Sequence, residues 1–193
     1  MVLFWLCTAT VAFARDQTVW MMEVIPAYIG FIAIFVLLDK NVTFSPLLNI
    51  IIAIHIAVLT IGGVYTYSRV PLFNPTDWLG EMMGWQRNNY DKVGHFMQGL
   101  TPYIATKEML IRKRIVERST MQVFLCVSVS MAISAIYELI EYLAIMMSSD
   151  VAVDFVGAQG DPYDTQTDML FALLGAIFAA CAFVNYRYKE EKQ

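Results

Sequence analysis

The sequence predicts an all-α protein, a polytopic transmembrane helical bundle of about six spans in a single membrane domain. Hydrophobic residues make up 58% of the 193 residues, and the mean hydropathy is +0.55. The apolar residues fall in long runs separated by short polar segments, as in proteins whose helices need about 20 apolar residues to cross a bilayer. The net charge is only −4, and no basic patch with interleaved aromatic residues is present, so nucleic acid is not an expected partner.

The first three expected spans cover residues 1–14, 19–38 and 46–66. Residues 1–14 are short for a full crossing and end in Ala-Phe-Ala before Arg15, which resembles a signal-peptidase site. A signal peptide normally has a positive region ahead of its apolar run, and this segment lacks one. We therefore interpret it as a short first span.

A polar connection, residues 67–92, separates these spans from the remaining three. It contains the run WLGEMMGW, which we interpret as a short amphipathic helix in contact with membrane lipid at the interface. The later spans are expected at residues 93–110, 120–147 and 167–186. The first of these is unusually polar for a membrane helix.

The distribution of basic residues predicts the orientation of the bundle. With six spans, three segments on one side hold nine Lys and Arg residues: Lys40, Lys107, Arg112, Lys113, Arg114, Arg118, Arg187, Lys189 and Lys192. The opposite side holds four: Arg15, Arg69, Arg87 and Lys92. Because basic residues favour the cytoplasmic side, both termini are expected inside.

A cluster of acids precedes the last expected span. The segment from Asp154 to Asp168 carries four carboxylates, and Asp161, Asp164 and Asp168 are spaced i, i+3 and i+7, on one face of a helix. Three acids beside a membrane are costly unless something positive compensates them. A metal ion, a proton or a cationic partner could do so.

Two other pairs of polar residues are expected at the same membrane depth. Asp91 and His95 are spaced i, i+4 at the outer start of the fourth span, and Glu138 and Glu141 are spaced i, i+3 toward the outer end of the fifth. Helical spacing lets each pair point into the bundle, so we expect them to meet the aspartates. Lys92 could also reach this depth.

Carboxylates with one imidazole suit a divalent ion such as Mg²⁺, Mn²⁺, Ca²⁺, Zn²⁺ or Fe²⁺. A metal-free alternative is that the acids share protons, because like charges disfavour ionisation of neighbouring carboxyl groups. Gln98 lies on the same helical face and is expected to support the ligands. The predicted metal-ligand set is Asp91, His95, Glu138, Glu141, Asp161, Asp164 and Asp168.

The motifs DKVGHF (91–96), YELIEY (137–142) and GAQGDPYDTQTDM (157–169) resemble those of the YjdF family of bacterial inner-membrane proteins. The resemblance covers about residues 20–185. It implies an integral protein of the bacterial inner membrane and adds Gln159 to the supporting residues. More distantly, the chain is similar to VanZ-like membrane proteins, but its Gly-Asp-Pro-Tyr-Asp loop replaces their Arg-containing stretch, so glycopeptide resistance is not implied.

Three classes of function stay open at this point, and the sequence does not decide whether the protein is an enzyme. The first is an accessory or structural role, with membrane-protein partners or as a homo-oligomer. The second is a metal-dependent hydrolase or transferase acting on a lipid or envelope substrate, with Glu138 or Asp164 as general base. The third is a proton- or cation-coupled transporter, since acids within membranes often serve such coupling.

Overall fold

The computed structural model describes residues 9–37, 44–116, 119–147, 159–184 and 186, and within these ranges it contains helices and no β-strand. The all-α class predicted from the sequence is confirmed. Short 3₁₀ helices occur at Thr10–Phe13 and Tyr67–Arg69. The α-helices are α1 (Gln17–Leu37), α2 (Pro46–Tyr65), α3 (Trp78–Met83), α4 (Tyr90–Arg112), α5 (Thr120–Met147) and α6 (Asp164–Ala182).

Three helices in the described ranges are long and apolar enough to cross a membrane: Pro46–Tyr65, Thr120–Met146 and Asp164–Ala182. The count of six spans therefore stays a prediction. Of the expected first span, residues 1–8 lie outside the described part, and the remainder contains only the 3₁₀ helix Thr10–Phe13. The short helix expected near WLGEMMGW is present as α3, with Trp78 70% exposed, and its place at the membrane interface stays a prediction.

Helix α4 lies at the centre of the bundle, packed against α2, α5 and α6. This position explains how the unusually polar fourth segment forms a long helix, since its neighbours in the bundle bury it. Residues buried along it include Leu100, Tyr103 and Ile104, which belong to the main hydrophobic core. Apolar contacts thus hold α4 in place while its polar residues face partners in the protein.

The C-terminal end of α4 is fixed by two buried charged residues. Lys107 Nζ donates to the Phe183 carbonyl just after α6, at 2.6 Å. Glu108 accepts hydrogen bonds from the backbone N–H and the hydroxyl of Ser45, which also caps the start of α2. Arg112 Nη2 also donates to Glu108 Oε2, at 3.3 Å. These contacts tie α2, α4 and α6 together at one end of the bundle.

Helices α4 and α6 cross with their backbones in contact. A Cβ placed on Gly99 would lie 1.8 Å from the Ala172 carbonyl oxygen, and one placed on Gly175 would lie 2.0 Å from the Phe96 carbonyl oxygen. Small residues at a helix crossing allow this close approach in membrane proteins. Ser130 of α5 donates to the Gly99 carbonyl at 2.9 Å, which joins the third helix to the crossing.

We predict that Gly175→Ala lowers the stability of the folded bundle by about 1–3 kcal/mol, the usual cost of overpacking. Neither helix can move a backbone carbonyl away without separating the crossing. Thermal unfolding in detergent, followed by circular dichroism, measures the effect. Ala132→Val, at an exposed position of α5, is the control, and equal melting temperatures for both variants would contradict the prediction.

Candidate metal centre

The predicted acids and histidine meet at the end of the bundle where α4 and α6 begin. Asp91 and His95 come from the first turns of α4, and Asp164 and Asp168 come from those of α6. The last third of α5 contributes two more residues. The structure brings six buried side chains together in two adjacent groups: Asp91, Asp164 and Asp168, and His95, Glu138 and Glu141.

The first group, hereafter the aspartate group, consists of Asp91, Asp164 and Asp168, each offering an oxygen within 4.8 Å of the others. Lys92 lies among them. Its Nζ is 2.8 Å from Asp164 Oδ1, 2.8 Å from Asp168 Oδ1 and 3.3 Å from Asp91 Oδ2. Asp91 and Asp164 also sit in the first turns of their helices, where the helix dipole favours negative charge.

A second cation, Arg87, contacts the same carboxylates from the loop before α4. Its guanidinium pairs with Asp91 and Asp164, and Nη1 lies 3.5 Å from Asp161 Oδ2. Burial alone would lower the pKa of Arg87, but Asp91, Asp164 and Asp168 outweigh it and raise that pKa above its ordinary value. Arg87 therefore stays charged. This role of Arg87 was not predicted from the sequence, although its i, i+4 spacing to Asp91 was a usable signal.

The second group, hereafter the His95 group, consists of His95, Glu138 and Glu141, also with ligand atoms within 4.8 Å of one another. Among the described residues, no Lys or Arg pairs with either glutamate. Glu138 is 6% exposed, and neither of its oxygens has a hydrogen bond of normal geometry, although Thr165 faces it. A buried carboxylate with no such partner is costly.

His95 lies between the two groups. Its Nδ1 is 3.0 Å from Gln98 Oε1 and 3.6 Å from Glu138 Oε1, while its Nε2 is 3.5 Å from Asp168 Oδ1. The ring also packs edge-on against Tyr137, with centroids 6.0 Å apart. Gln98, predicted as a supporting residue, thus contacts the imidazole directly and helps to fix its orientation.

Gln159 supports the site through the backbone before α4. Its side-chain oxygen accepts from the Asn88 N–H, and its Nε2 donates to the Asn88 carbonyl, both at 2.9 Å. The Asn88 side chain in turn donates to the Val70 carbonyl at 2.9 Å and to Asn74 Oδ1 at 2.8 Å. These bonds fix the loop that carries Arg87.

The expectation that Asp161 shares a helical face with Asp164 and Asp168 is wrong, because α6 begins only at Asp164. Pro162 disfavours helical backbone at the residue before it, and Asp161 Oδ1 accepts from the Tyr163 N–H at 2.9 Å in a turn. Asp161 is only half-buried, at the edge of the aspartate group. Asp154 lies outside the described residues.

Helix α1 adds an acid that the sequence analysis did not select. Glu23 is 4% exposed and accepts a hydrogen bond from the Tyr137 hydroxyl at 3.0 Å. Tyr137 precedes Glu138 and packs against His95, so Glu23 lies next to the site. An acid within a strongly apolar segment is itself a signal for such a position.

The helices that suit a membrane and the buried ionisable groups define an integral membrane protein with an acidic interior site. A family model described as "Predicted membrane protein (DUF2238)" matches residues 1–189, and the chain belongs to this family. It is 44% identical to the inner membrane protein YjdF of Escherichia coli (strain K12) over 178 residues, 92% of this chain and 83% of that protein. The resemblance drawn from the motifs is confirmed. No solved structure matches the chain.

We predict that Arg87→Met destabilises the protein by about 3 kcal/mol, because its removal leaves the buried aspartate group with Lys92 as the remaining basic partner among the described residues. The melting temperature in detergent measures the change. Arg69→Met, which removes an exposed arginine from the same connection, is the matched control. A melting temperature for Arg87→Met as high as that of Arg69→Met would show that the guanidinium does not stabilise the aspartate group.

Proposed function

We propose that this protein holds a divalent metal ion at the His95 group, with His95, Glu138 and Glu141 as ligands. The observation that carries the proposal is the Glu138 carboxylate, which is buried and has no hydrogen bond of normal geometry among the described residues. A cation at this position would remove the cost of burying it. The neighbouring aspartates already have Arg87 and Lys92.

The chemistry of the group fits a divalent ion. One imidazole and two carboxylates are a common ligand set for Zn²⁺, Mn²⁺ or Fe²⁺. Metal-binding histidines usually bond a second polar group through their other ring nitrogen. Nδ1 of His95 is the nitrogen that faces Glu138, at 3.6 Å, and the other nitrogen, Nε2, lies 3.5 Å from Asp168 Oδ1. Tyr137 restricts the ring from the other direction. The imidazole is therefore oriented by contacts on two sides.

An ion at this position would join two helices, since His95 belongs to α4 while Glu138 and Glu141 belong to α5. Ligands from separate elements make metal binding a source of folding free energy. This supports the accessory or structural role, in which the ion stabilises the bundle. We therefore favour a metal-stabilised membrane subunit or homo-oligomer component over the other classes.

A metal-dependent hydrolase or transferase is the second candidate. Glu138 favours it, because among the described residues its carboxylate has no hydrogen bond of normal geometry and no Lys or Arg partner. A general base must be able to accept a proton from a metal-bound water. Asp164, the other predicted base, is already bound to Arg87 and Lys92. In this second candidate Glu138 is the base and not a ligand, so His95 and Glu141 would hold the ion, and Asp164 holds the cations Arg87 and Lys92 in place.

Elemental analysis of the purified protein in detergent tests the metal site. Under the proposal, wild type carries one divalent ion per chain. Glu138→Gln and His95→Gln each remove one of three protein ligands. Loss of a residue that merely supports a ligand already costs about 10–100-fold in metal affinity. Both variants are therefore expected to lose at least about nine-tenths of the ion. Glu81→Gln, at an exposed position of α3, keeps the ion.

Chelation of wild type supplies a second readout, the melting temperature. If the ion joins α4 and α5, chelator lowers the melting temperature of wild type and of Glu81→Gln, and leaves that of Glu138→Gln unchanged. Folded, monodisperse wild type without metal, even after incubation with Mn²⁺, Zn²⁺ or Fe²⁺, would refute the metal site.

We also propose that the chain crosses the bacterial inner membrane six times with both termini in the cytoplasm. The distribution of basic residues supports this orientation, and the match to an inner membrane protein supports the location. The metal centre would then lie toward the outer face. It would be within reach of lipid headgroups and of the envelope, and α3 would rest in the outer interface.

Reporter fusions test this topology. Fluorescent protein fused after Gln193 is expected to fluoresce, and alkaline phosphatase fused there is expected to be inactive, because that enzyme folds only in an oxidising compartment. The same reporters inserted after Gly84, in the connection that carries α3, should give the opposite result. An active phosphatase at the C-terminus would overturn the proposed orientation.

A further inference from the structure

We infer that the aspartate group is a cation site whose permanent occupant is the Lys92 ammonium, and that this lysine limits the protein to one divalent ion. Asp91, Asp164 and Asp168 have the burial and the spacing of a metal site. The ammonium stands where the ion would be. This inference deepens the proposed function, since it explains why only the His95 group takes a metal.

The geometry around Lys92 matches what an ammonium needs. Its three N–H donors can each face one carboxylate, and three carboxylates lie at 2.8, 2.8 and 3.3 Å from Nζ. Asp91 is the residue before Lys92 in α4, and Asp164 and Asp168 lie on successive turns of α6. The side chain is buried, with 8% of it exposed.

A divalent ion could not join this group without displacing Lys92. The oxygens that would bind the ion are those already bound to Nζ, and an ion on them would lie a few ångströms from the ammonium. Repulsion between these charges is strong in a buried site. Because the lysine is part of the chain, it cannot diffuse away. The Arg87 guanidinium is a second positive group paired with Asp91 and Asp164.

The His95 group provides the internal comparison. It has the same number of ligands, the same burial and the same 4.8 Å limit on their separation, and it shares a border with the aspartate group through His95 and Asp168. The difference is that, among the described residues, no lysine or arginine pairs with its glutamates. Lys92 contacts all three members of the aspartate group, whereas Arg87 contacts two of them. The position of Lys92 therefore decides which group stays open to a metal.

Replacing Lys92 with Met tests the inference, because Met has nearly the same length and no charge. Folded Lys92→Met, incubated with Mn²⁺ and desalted, is expected to carry one more ion per chain than wild type treated in the same way. The added ion should disappear in Lys92→Met/Asp168→Asn. Lys92→Arg, which keeps the positive charge, should match wild type.

Lys107→Met is the matched control, since Lys107 is a buried lysine of the same helix that donates to the Phe183 carbonyl. It should gain no ion. An unchanged ion count in folded Lys92→Met, or an equal gain in Lys107→Met, would overturn the inference.

One further experiment covers the case in which the variant does not fold, and one pattern of ion counts separates this inference from the proposed function. If Lys92→Met cannot be purified folded, Mn²⁺ titration of wild type decides: saturation at no more than one ion supports the inference, and two ions overturn it. If wild type binds no metal while Lys92→Met binds one, the His95 site fails and the inference on Lys92 stands.

Discussion

The ion pairs between Lys92 of α4 and two aspartates of α6 set the relation between the two helices at the centre of the bundle. Isolated buried charges cost several kcal/mol each, so a displacement of one helical turn, about 5.4 Å, would leave both partners uncompensated. The crossing at Gly99 and Gly175 imposes the same register through backbone contact. Charge pairing and close packing thus select a single arrangement, and the rest of the site is built on it.

With that register fixed, the buried polar residues divide according to what compensates them. The aspartate group receives its positive charge from Arg87 and Lys92, whereas an imidazole is the one basic group within ion-pair distance of Glu138 in the part of the chain that the structure describes. The two groups each have three potential metal ligands within 4.8 Å of one another, but they differ in the positive charge that already contacts those ligands. The aspartates hold α4, α6 and the preceding loop together, and the glutamates of α5 remain available to an added cation.

Much of this site could be predicted from spacing alone. The i, i+4 and i, i+3 pairs on two helices, together with an alternating topology, were enough to place Asp91, His95, Glu138 and Glu141 near the last acids. Pairing was harder to predict, because spacing gives the face of a helix and not the partner that reaches it. Arg87 belongs to a connection, where its i, i+4 spacing to Asp91 is easily passed over, and Glu23 lies alone in an otherwise apolar segment, far along the chain from the other acids. Asp161 was misplaced because Pro162 delays the start of α6.

Buried charges are a poor way to stabilise a helical bundle, since well-packed apolar residues of similar volume often do as well or better. In the aspartate group, the buried negative charges are nevertheless largely compensated, because Arg87 and Lys92 pair with them. The same argument does not cover Glu138 and Glu141, which add two buried acids next to an imidazole that other polar groups already contact. Under the proposed function, a divalent ion bound there would compensate the cost of burying them. On that proposal, the His95 group is present for the ion that it would bind, and the aspartate group with its own cations accounts for the link between α4 and α6.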